Sequence, residues 1–493
     1  MKKSFLFVWA IAALALNVYA ADSDYTVDAN GVITKYAGFD TEVTIPATIG
    51  GKKITAIGKE AFRKADLTSV VIPDGITVID NAAFAENKLT TVTIPGSVKT
   101  IGAGAFDENN NLATVVLSEG LEYVAGRNQF GDLFAAFPST VKSINIPASI
   151  RSFDARFGME TVVTFAANIN VDMSGVFGRP GIYEERESNP AIFLNYIAND
   201  RKAGTYTGNM KCVYKRADGY RYYETQYGAV LTDYYGNTTR VRIPAEIGGI
   251  PVKTLYGTFL GSTKIDAVQI PESVTYIGRS TFWAQSLVSI TIPASVIYIG
   301  NEAFRWGDPD DRYMRTQNNE NKLTSVTISA GVQYIGAGAF EGNELASLTI
   351  PDTVVYIGAQ AFSGNELTSV TIPASVQYIG DSAFADNKLT SVTILNGVTY
   401  IGDSAFSASI EESALKVLTI PASVKTMGGV PITEGRFGGK AANNGNSIVI
   451  GANVSIEDGS YFAKDYNKNG RKAGRYTASV NLYGTYTWTY SAK

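Results

Sequence analysis

The chain contains no histidine, and Cys212 is its single cysteine in 493 residues. Without histidine there is no Ser-His-Asp or Cys-His pair, no imidazole general base and no histidine-containing metal site. One cysteine cannot form a disulfide within the chain. With no imidazole to activate it, Cys212 reads as a half-buried strand residue rather than a nucleophile. Excess charge is missing too: 42 basic against 46 acidic side chains leave −4, so no basic field draws nucleic acid or anionic lipid. Beyond the N-terminus no apolar run reaches the roughly 18 residues that a membrane-spanning helix needs. Carboxylates are scattered singly, and no G-x-S-x-G, phosphate-loop or dinucleotide glycine motif stands between a strand and a helix. The expectation is a protein that is not an enzyme and needs no cofactor or metal.

What is plentiful is tyrosine, 28 residues against 6 Met and 4 Trp. Tyrosine suits contact surfaces, because it offers area and a hydrogen bond at little entropy cost. The N-terminus has the layout of an export signal: Lys2 and Lys3, an apolar run from Phe5 to Val18, then small residues before a cut after Ala20. Residues 1–20 are therefore expected to be removed, leaving a secreted or cell-surface protein, with a periplasmic location as the alternative.

The chain is organised by a repeat. Leu367 to Lys388, LTSVTIPASVQYIGDSAFADNK, spans 22 residues, and Leu389 begins it again. Its Ile-Pro marker recurs at Ile45, Ile72, Ile94, Ile146, Ile243, Ile270, Ile292, Ile350, Ile372 and Ile420, with degraded copies at Leu117, Ile328 and Ile394. A unit this short cannot bury its apolar side alone, so it stacks on copies of itself. Val392 and Ile394 alternate with Ser391 and Thr393, the period of a half-buried strand. A proline usually ends that strand, having no N–H to give. Gly380 permits a bend, Phe384 fills the core, and Asn87, Asn343, Asn365 and Asn387 hold one place where an amide can satisfy backbone groups.

The consensus L-x-x-V-x-I-P-x-x-V-x-x-I-G-x-x-A-F resembles the BspA-type leucine-rich repeats of bacterial surface proteins over residues 40–165 and 238–460. Members often carry Cys where the four asparagines stand here. The resemblance implies a right-handed leucine-rich-repeat solenoid with a parallel β-sheet on its concave side, and a role in adhesion or in contact with host or matrix. The main expectation is protein–protein binding; the alternative is a carbohydrate-binding surface protein.

The arrangement is also duplicated. Thr41–Pro46 with Gly50-Gly51 resembles Thr239–Pro244 with Gly248-Gly249, and Arg-Lys-Ala-Gly closes both halves at Arg201–Gly204 and Arg471–Gly474. Terminal repeats must differ from internal ones. Two capped arrays are expected, 21–216 and 217–493, closed by hairpins at 195–216 and 462–490.

Three sets of residues are candidates for binding. Tyr276, Tyr298, Tyr334, Tyr356, Tyr378 and Tyr400 recur before Ile-Gly; at strand spacing they form either an aromatic ridge for a glycan or extended protein, or a stack that stiffens the solenoid. Ser369, Thr371, Ser391 and Thr393, with Ser325, Thr327, Ser347 and Thr349, should face outward from the sheet. The interval from Ile292 to Ile328 is 36 residues, and its insertion carries Trp306, Arg312 and Tyr313, contact types in either a binding loop or a tolerated insertion. Asp465–Gly470 resembles the start of a calcium loop but has Tyr476 where a bidentate Glu is needed, which favours a turn.

Overall fold

The structure is a computed structural model that describes residues 20–125, 136–150, 152–153, 161–166, 190–207, 212–257, 259, 264–283, 285–306, 322–407, 415–429, 447–456, 461–480 and 486–492. Residues 1–19 of the expected signal region lie outside them. The chain divides into two compact units. Residues 203–207 belong to the first; 190–202 and everything described from Cys212 onward belong to the second.

Both units are solenoids of stacked coils. In the coil from Leu367 to Asn387 every expected core residue is buried: Leu367, Val370, Ile372, Val376, Ile379, Ala383 and Phe384. The outward Ser369 and Thr371 between them are exposed. Phe384 stacks on Phe362 and Phe406 at 5.4 and 5.5 Å between ring centres. This column runs from Phe259 to Phe406 in the second unit and from Phe62 to Phe137 in the first. It opens on tyrosines. Tyr36 stacks on Phe62 at 5.1 Å, and Tyr234 meets Phe259 at 5.5 Å. These rings belong to antiparallel hairpins, Tyr25–Val27 with Val32–Tyr36, and Tyr220–Thr225 with Ala229–Tyr234. A hairpin closes the exposed end because its outer strand need not find a further coil.

Three hydrogen-bonded ladders join successive coils. The two-residue strands at the Tyr-Ile position belong to a sheet of 13 strands in the second unit, and their equivalents to one of 7 in the first. The L-x-x-V-x-I strands, where the principal sheet was expected, run from Thr91–Ile94 to Ser143–Ile146 in the first unit and continue into Val162–Phe165, four parallel strands, while Glu42–Thr44 and Ser69–Val71 pair apart from them. In the second they pair off separately, Ser289–Ile292 with Ser325–Ile328 and Ser369–Ile372 with Ser391–Ile394. The intervening stretch 345–350 is not a strand. The third ladder lies at Ala-Phe, where each Phe N–H donates to the Ala carbonyl of the next coil, as Phe362 does to Ala383 at 2.8 Å. The residue before Ala-Phe must turn left-handed to aim that bond. Glu60, Ala82, Ser280, Glu302, Gln360, Ser382 and Ser404 all have φ between 52° and 57°. Gly104 and Gly338 fill the same place at 62° and 60°.

The asparagines fasten the bend. Asn365 is buried; its Nδ2 donates to the carbonyls of Phe340 (2.9 Å) and Phe362 (3.1 Å), and its Oδ1 accepts the Leu345 N–H (3.1 Å). Asn87, Asn343 and Asn387 repeat this set. Asn109 does so too, and Gln285 reaches the equivalent Ile265 N–H and Phe259 carbonyl with one more methylene.

The closing segments differ between halves. In the second unit helix α2 (Tyr461–Lys468) precedes a true hairpin, Gly474–Val480 with Tyr486–Ser491, the first strand antiparallel to Ser447–Ile450. In the first unit Gly204–Thr207 likewise pairs antiparallel with Val162–Phe165. The next strand, Cys212–Ala217, does not fold back as a closing hairpin; it pairs with Tyr220–Thr225 at the start of the second unit. The boundary expected at 216/217 thus falls inside a hairpin. Helix α1 (Pro190–Ala198), the counterpart of α2, also belongs with the second unit.

Replacing Asn365 by Ala strands a buried N–H and two carbonyls; denaturant unfolding should show a loss of about 2–4 kcal/mol. Gln360→Gly relieves a left-handed residue and should raise stability by about 0.5–1 kcal/mol in the same measurement.

Candidate functional site

An outward side chain that the scaffold itself uses is no sign of a site. On the L-x-x-V-x-I side, Ser325, Thr327, Ser347, Thr349, Ser369, Thr371, Ser391 and Thr393 are all exposed. Ser369 lies opposite Ser391 and Thr371 opposite Thr393 in register, so the hydroxyls form two straight rows at strand spacing. The threonines just before Ser325 and Ser391 are different. Thr324 and Thr390 donate to Val288 and Thr368 carbonyls of the preceding coil. They serve the stack and leave the rows as its polar outer surface.

The tyrosines form one column in register, Tyr276 through Tyr400. Tyr356, Tyr378 and Tyr400 stack with nearly parallel rings at 4.6 and 4.7 Å. Tyr276 and Tyr298 stack at 4.7 Å, whereas Tyr334 is tilted by 40° and 38° to its neighbours. Close stacking consumes the ring faces, so the column offers edges and hydroxyls rather than a flat platform. Tyr276 and Tyr298 are buried, at 4% and 2% exposure, and contribute no surface; the other four are half-buried. The first unit has Ala56, Val78, Thr100 and Tyr123 in this place, so the column is peculiar to the second.

Of the three candidates in the insertion Trp306 is described; Arg312 and Tyr313 lie outside the described residues. Trp306 packs where Gly342 leaves room, since a Cβ on that glycine would sit 3.1 Å from the Trp306 Cβ. Beside it stands an ion network that sequence reasoning missed. Arg279 Nη2 is 3.0 Å from Glu302, and Arg305 reaches Glu341 at 3.1 Å and Glu302 at 3.4 Å. Burial raises the Glu341 carboxyl pKa, Arg305 pulls it back, and Glu302 adds to the rise. The partners belong to successive coils, so the network braces the ladder at the foot of the insertion.

Asp465–Gly470 is helix and turn rather than an extended loop. It runs from within α2 to that helix's end, where Gly470 turns left-handed at φ 68°. Asp465 Oδ2 accepts the Trp488 N–H at 2.8 Å, and the Asp465 carbonyl takes the Asn469 N–H. Cys212 begins a strand, and burial pushes its thiol up to about 12. Such a thiol is a poor nucleophile.

The BspA type leucine rich repeat region model matches residues 36–157, 234–308 and 315–430, more than half of the chain, in six copies. No curated protein matches. Among solved structures, the chain is similar to a leucine rich cell surface protein from Faecalibacterium prausnitzii A2-165, with 20% identity, 84% of this chain and 86% of that one covered, and a TM-score of 0.26. A leucine-rich repeat protein from Bacteroides ovatus ATCC 8483 shows 17% identity over 81% and 92%, with a TM-score of 0.27. The leucine rich repeat protein of T. pallidum shows 20% identity over 29% and 80%, with a TM-score of 0.23.

Alkylation of native protein with iodoacetamide at pH 8 should modify Cys212 roughly a hundredfold or more slowly than in the unfolded chain, because the thiolate is scarce. Equal rates in the two states would show that the thiol is not suppressed.

Proposed function

The chain belongs to the BspA-type leucine-rich repeat family, and from that premise we propose that it is an exported, surface-exposed binding protein whose second unit presents its hydroxyl rows to a protein partner, in adhesion to host or matrix. The observation that carries this reading is the division of labour within each coil. From Leu367 to Asn387 the apolar residues and the asparagine are buried, while Ser369 and Thr371 stand exposed in rows that continue through Ser391 and Thr393. Repeat arrays bind through such surfaces because neighbouring coils repeat one contact at fixed spacing. The half-buried edges of Tyr356, Tyr378 and Tyr400, with their hydroxyls, supply a second strip. A glycan that must lie flat on an aromatic face is less well served, because those faces are stacked on one another. Export rests on the charged, apolar and small-residue order of residues 1–20. Among the described residues no helix is long and apolar enough to cross a membrane.

Full-length protein without its signal region should bind at least one immobilised matrix or host-surface protein and fail to be retained by a glycan array. Thr371→Lys with Thr393→Lys should weaken that binding about tenfold, some 1.4 kcal/mol, while costing under about 0.5 kcal/mol in stability, as exposed substitutions do. Retention on polysaccharide with no protein partner would replace this reading with the carbohydrate one.

A further inference from the structure

The motif that closes each half is built twice on one backbone plan and used in two ways. In α2 and the turn after it, the Arg471 N–H donates to the Tyr466 carbonyl at 3.0 Å, and the Asn469 N–H to that of Asp465 at 3.1 Å. The first copy matches: Arg201 N–H to Tyr196 at 3.0 Å, Asn199 N–H to Asn195 at 3.0 Å. Both turns are left-handed, with Gly470 and Arg471 at 68° and 54°, and Asp200 and Arg201 at 53° and 57°.

The guanidinium groups part company there. Arg471 donates Nε to the Val454 carbonyl at 3.2 Å and Nη2 to those of Asn453, at 3.2 Å, and Val454. The Asn453 N–H returns a bond to the Arg471 carbonyl, and Tyr466 Oη spans Gly451 and Val454. That copy is fixed by direct main-chain bonds. Arg201 instead lies over the ring of Tyr298 at 4.4 Å and of Tyr334 at 5.2 Å. It is 4% exposed, and neither Nη1 nor Nη2 has a hydrogen-bond acceptor. Asp200 Oδ1 is buried without a donor as well, its Oδ2 lying 3.6 Å from Lys202. Asp200 and Arg201 line one small cavity with Ile197, Thr275, Tyr276, Ile297 and Tyr298. It has room for about one water, which could accept from the guanidinium and donate to the carboxylate.

We propose that residues 199–202, the turn after α1, form a releasable strap over the first rungs of the tyrosine column, while Leu194, Asn195, Tyr196 and Ile197 of the helix stay buried. A buried guanidinium with two unmade bonds is costly. The attraction of two ring faces offsets only part of that cost. Solvating the arginine returns the remainder, so the strap opens locally while the coils beneath stay folded. Opening uncovers Tyr276 and Tyr298, the buried rungs, and joins them to the half-buried edges of Tyr334, Tyr356, Tyr378 and Tyr400. The closed strap thereby sets how much of the column is presented. The duplicate under Arg471 has no such release, since its donors are already met by carbonyls.

The test is nitration of full-length protein with tetranitromethane, read tyrosine by tyrosine by peptide mass spectrometry. In the wild type Tyr298 should react roughly tenfold or more faster than Tyr466, its counterpart cap being opened only by wider unfolding, and more slowly than Tyr356. Arg201→Met should raise the ratio of the Tyr298 rate to the Tyr466 rate by a further severalfold. Arg201→Lys, which keeps the charge, should raise it less. The ratio is the readout because general destabilisation speeds both residues together. Equal rates for Tyr298 and Tyr466 in the wild type, or an unchanged ratio in Arg201→Met, would overturn the proposal; neither readout depends on any binding partner.

Discussion

Among the described residues, no coil satisfies its own backbone. A turn of 22 residues has N–H and C=O groups pointing along the stack, and they find partners only on the coils before and after it. The constraint is sharpest at the bend before each new leucine, where the Glu366 N–H reaches the Leu345 carbonyl but the Leu345 N–H and the Phe340 and Phe362 carbonyls bond to a side chain. A buried side-chain amide answers it. Asn365 bonds carbonyls of two coils with one nitrogen and the N–H of Leu345 with its oxygen. Everything else at that corner follows from it: the buried phenylalanine beneath, the left-handed residue that aims the Ala-Phe ladder, and the regular stacking of rings at about 5 Å, close to the spacing of paired strands. A thiol in this place could not make the same set of bonds, since it is a weak donor and a weak acceptor.

Much of the fold could be read directly. The period, the alternation of Val392 and Ile394 with Ser391 and Thr393, and the recurring Ala-Phe predict stacked coils and their core, because burial is a local demand repeated at fixed spacing. What escaped were substitutions that keep the physics and change the letter. Gln285 stands for the asparagine with a longer arm, and Tyr36 and Tyr234 head the phenylalanine columns. Sheet continuity was also hidden, because strand pairing depends on neighbouring coils and not on one coil's pattern.

The candidate site was less legible, for a physical reason. Outward positions are underdetermined by the fold, so sequence locates them without saying what covers them. Tyr276 and Tyr298 have the same sequence context as Tyr356 and Tyr378, yet only the first two are buried. Against them lie Ile197, Asp200 and Arg201, distant in sequence and belonging to a motif that reads as the end of the other half. The Arg-Lys-Ala-Gly duplication signalled a cap; that the two arginines have different partners is a matter of tertiary contact alone.

The insertion after Phe304 leaves the ladder untouched. Phe304 still donates to the Ala carbonyl of the next coil, at Ala339, and Asn343 still reaches back to Phe304. Spacing between coils is thus indifferent to the number of residues looped out at this corner. Length along such a stack is counted in whole coils, each adding one strand spacing of about 4.8 Å. Unequal recombination between near-identical repeats would lengthen or shorten the molecule in fixed steps while every corner kept its amide. A lineage could tune its reach as a ruler is extended, one graduation at a time, without having to design a new fold.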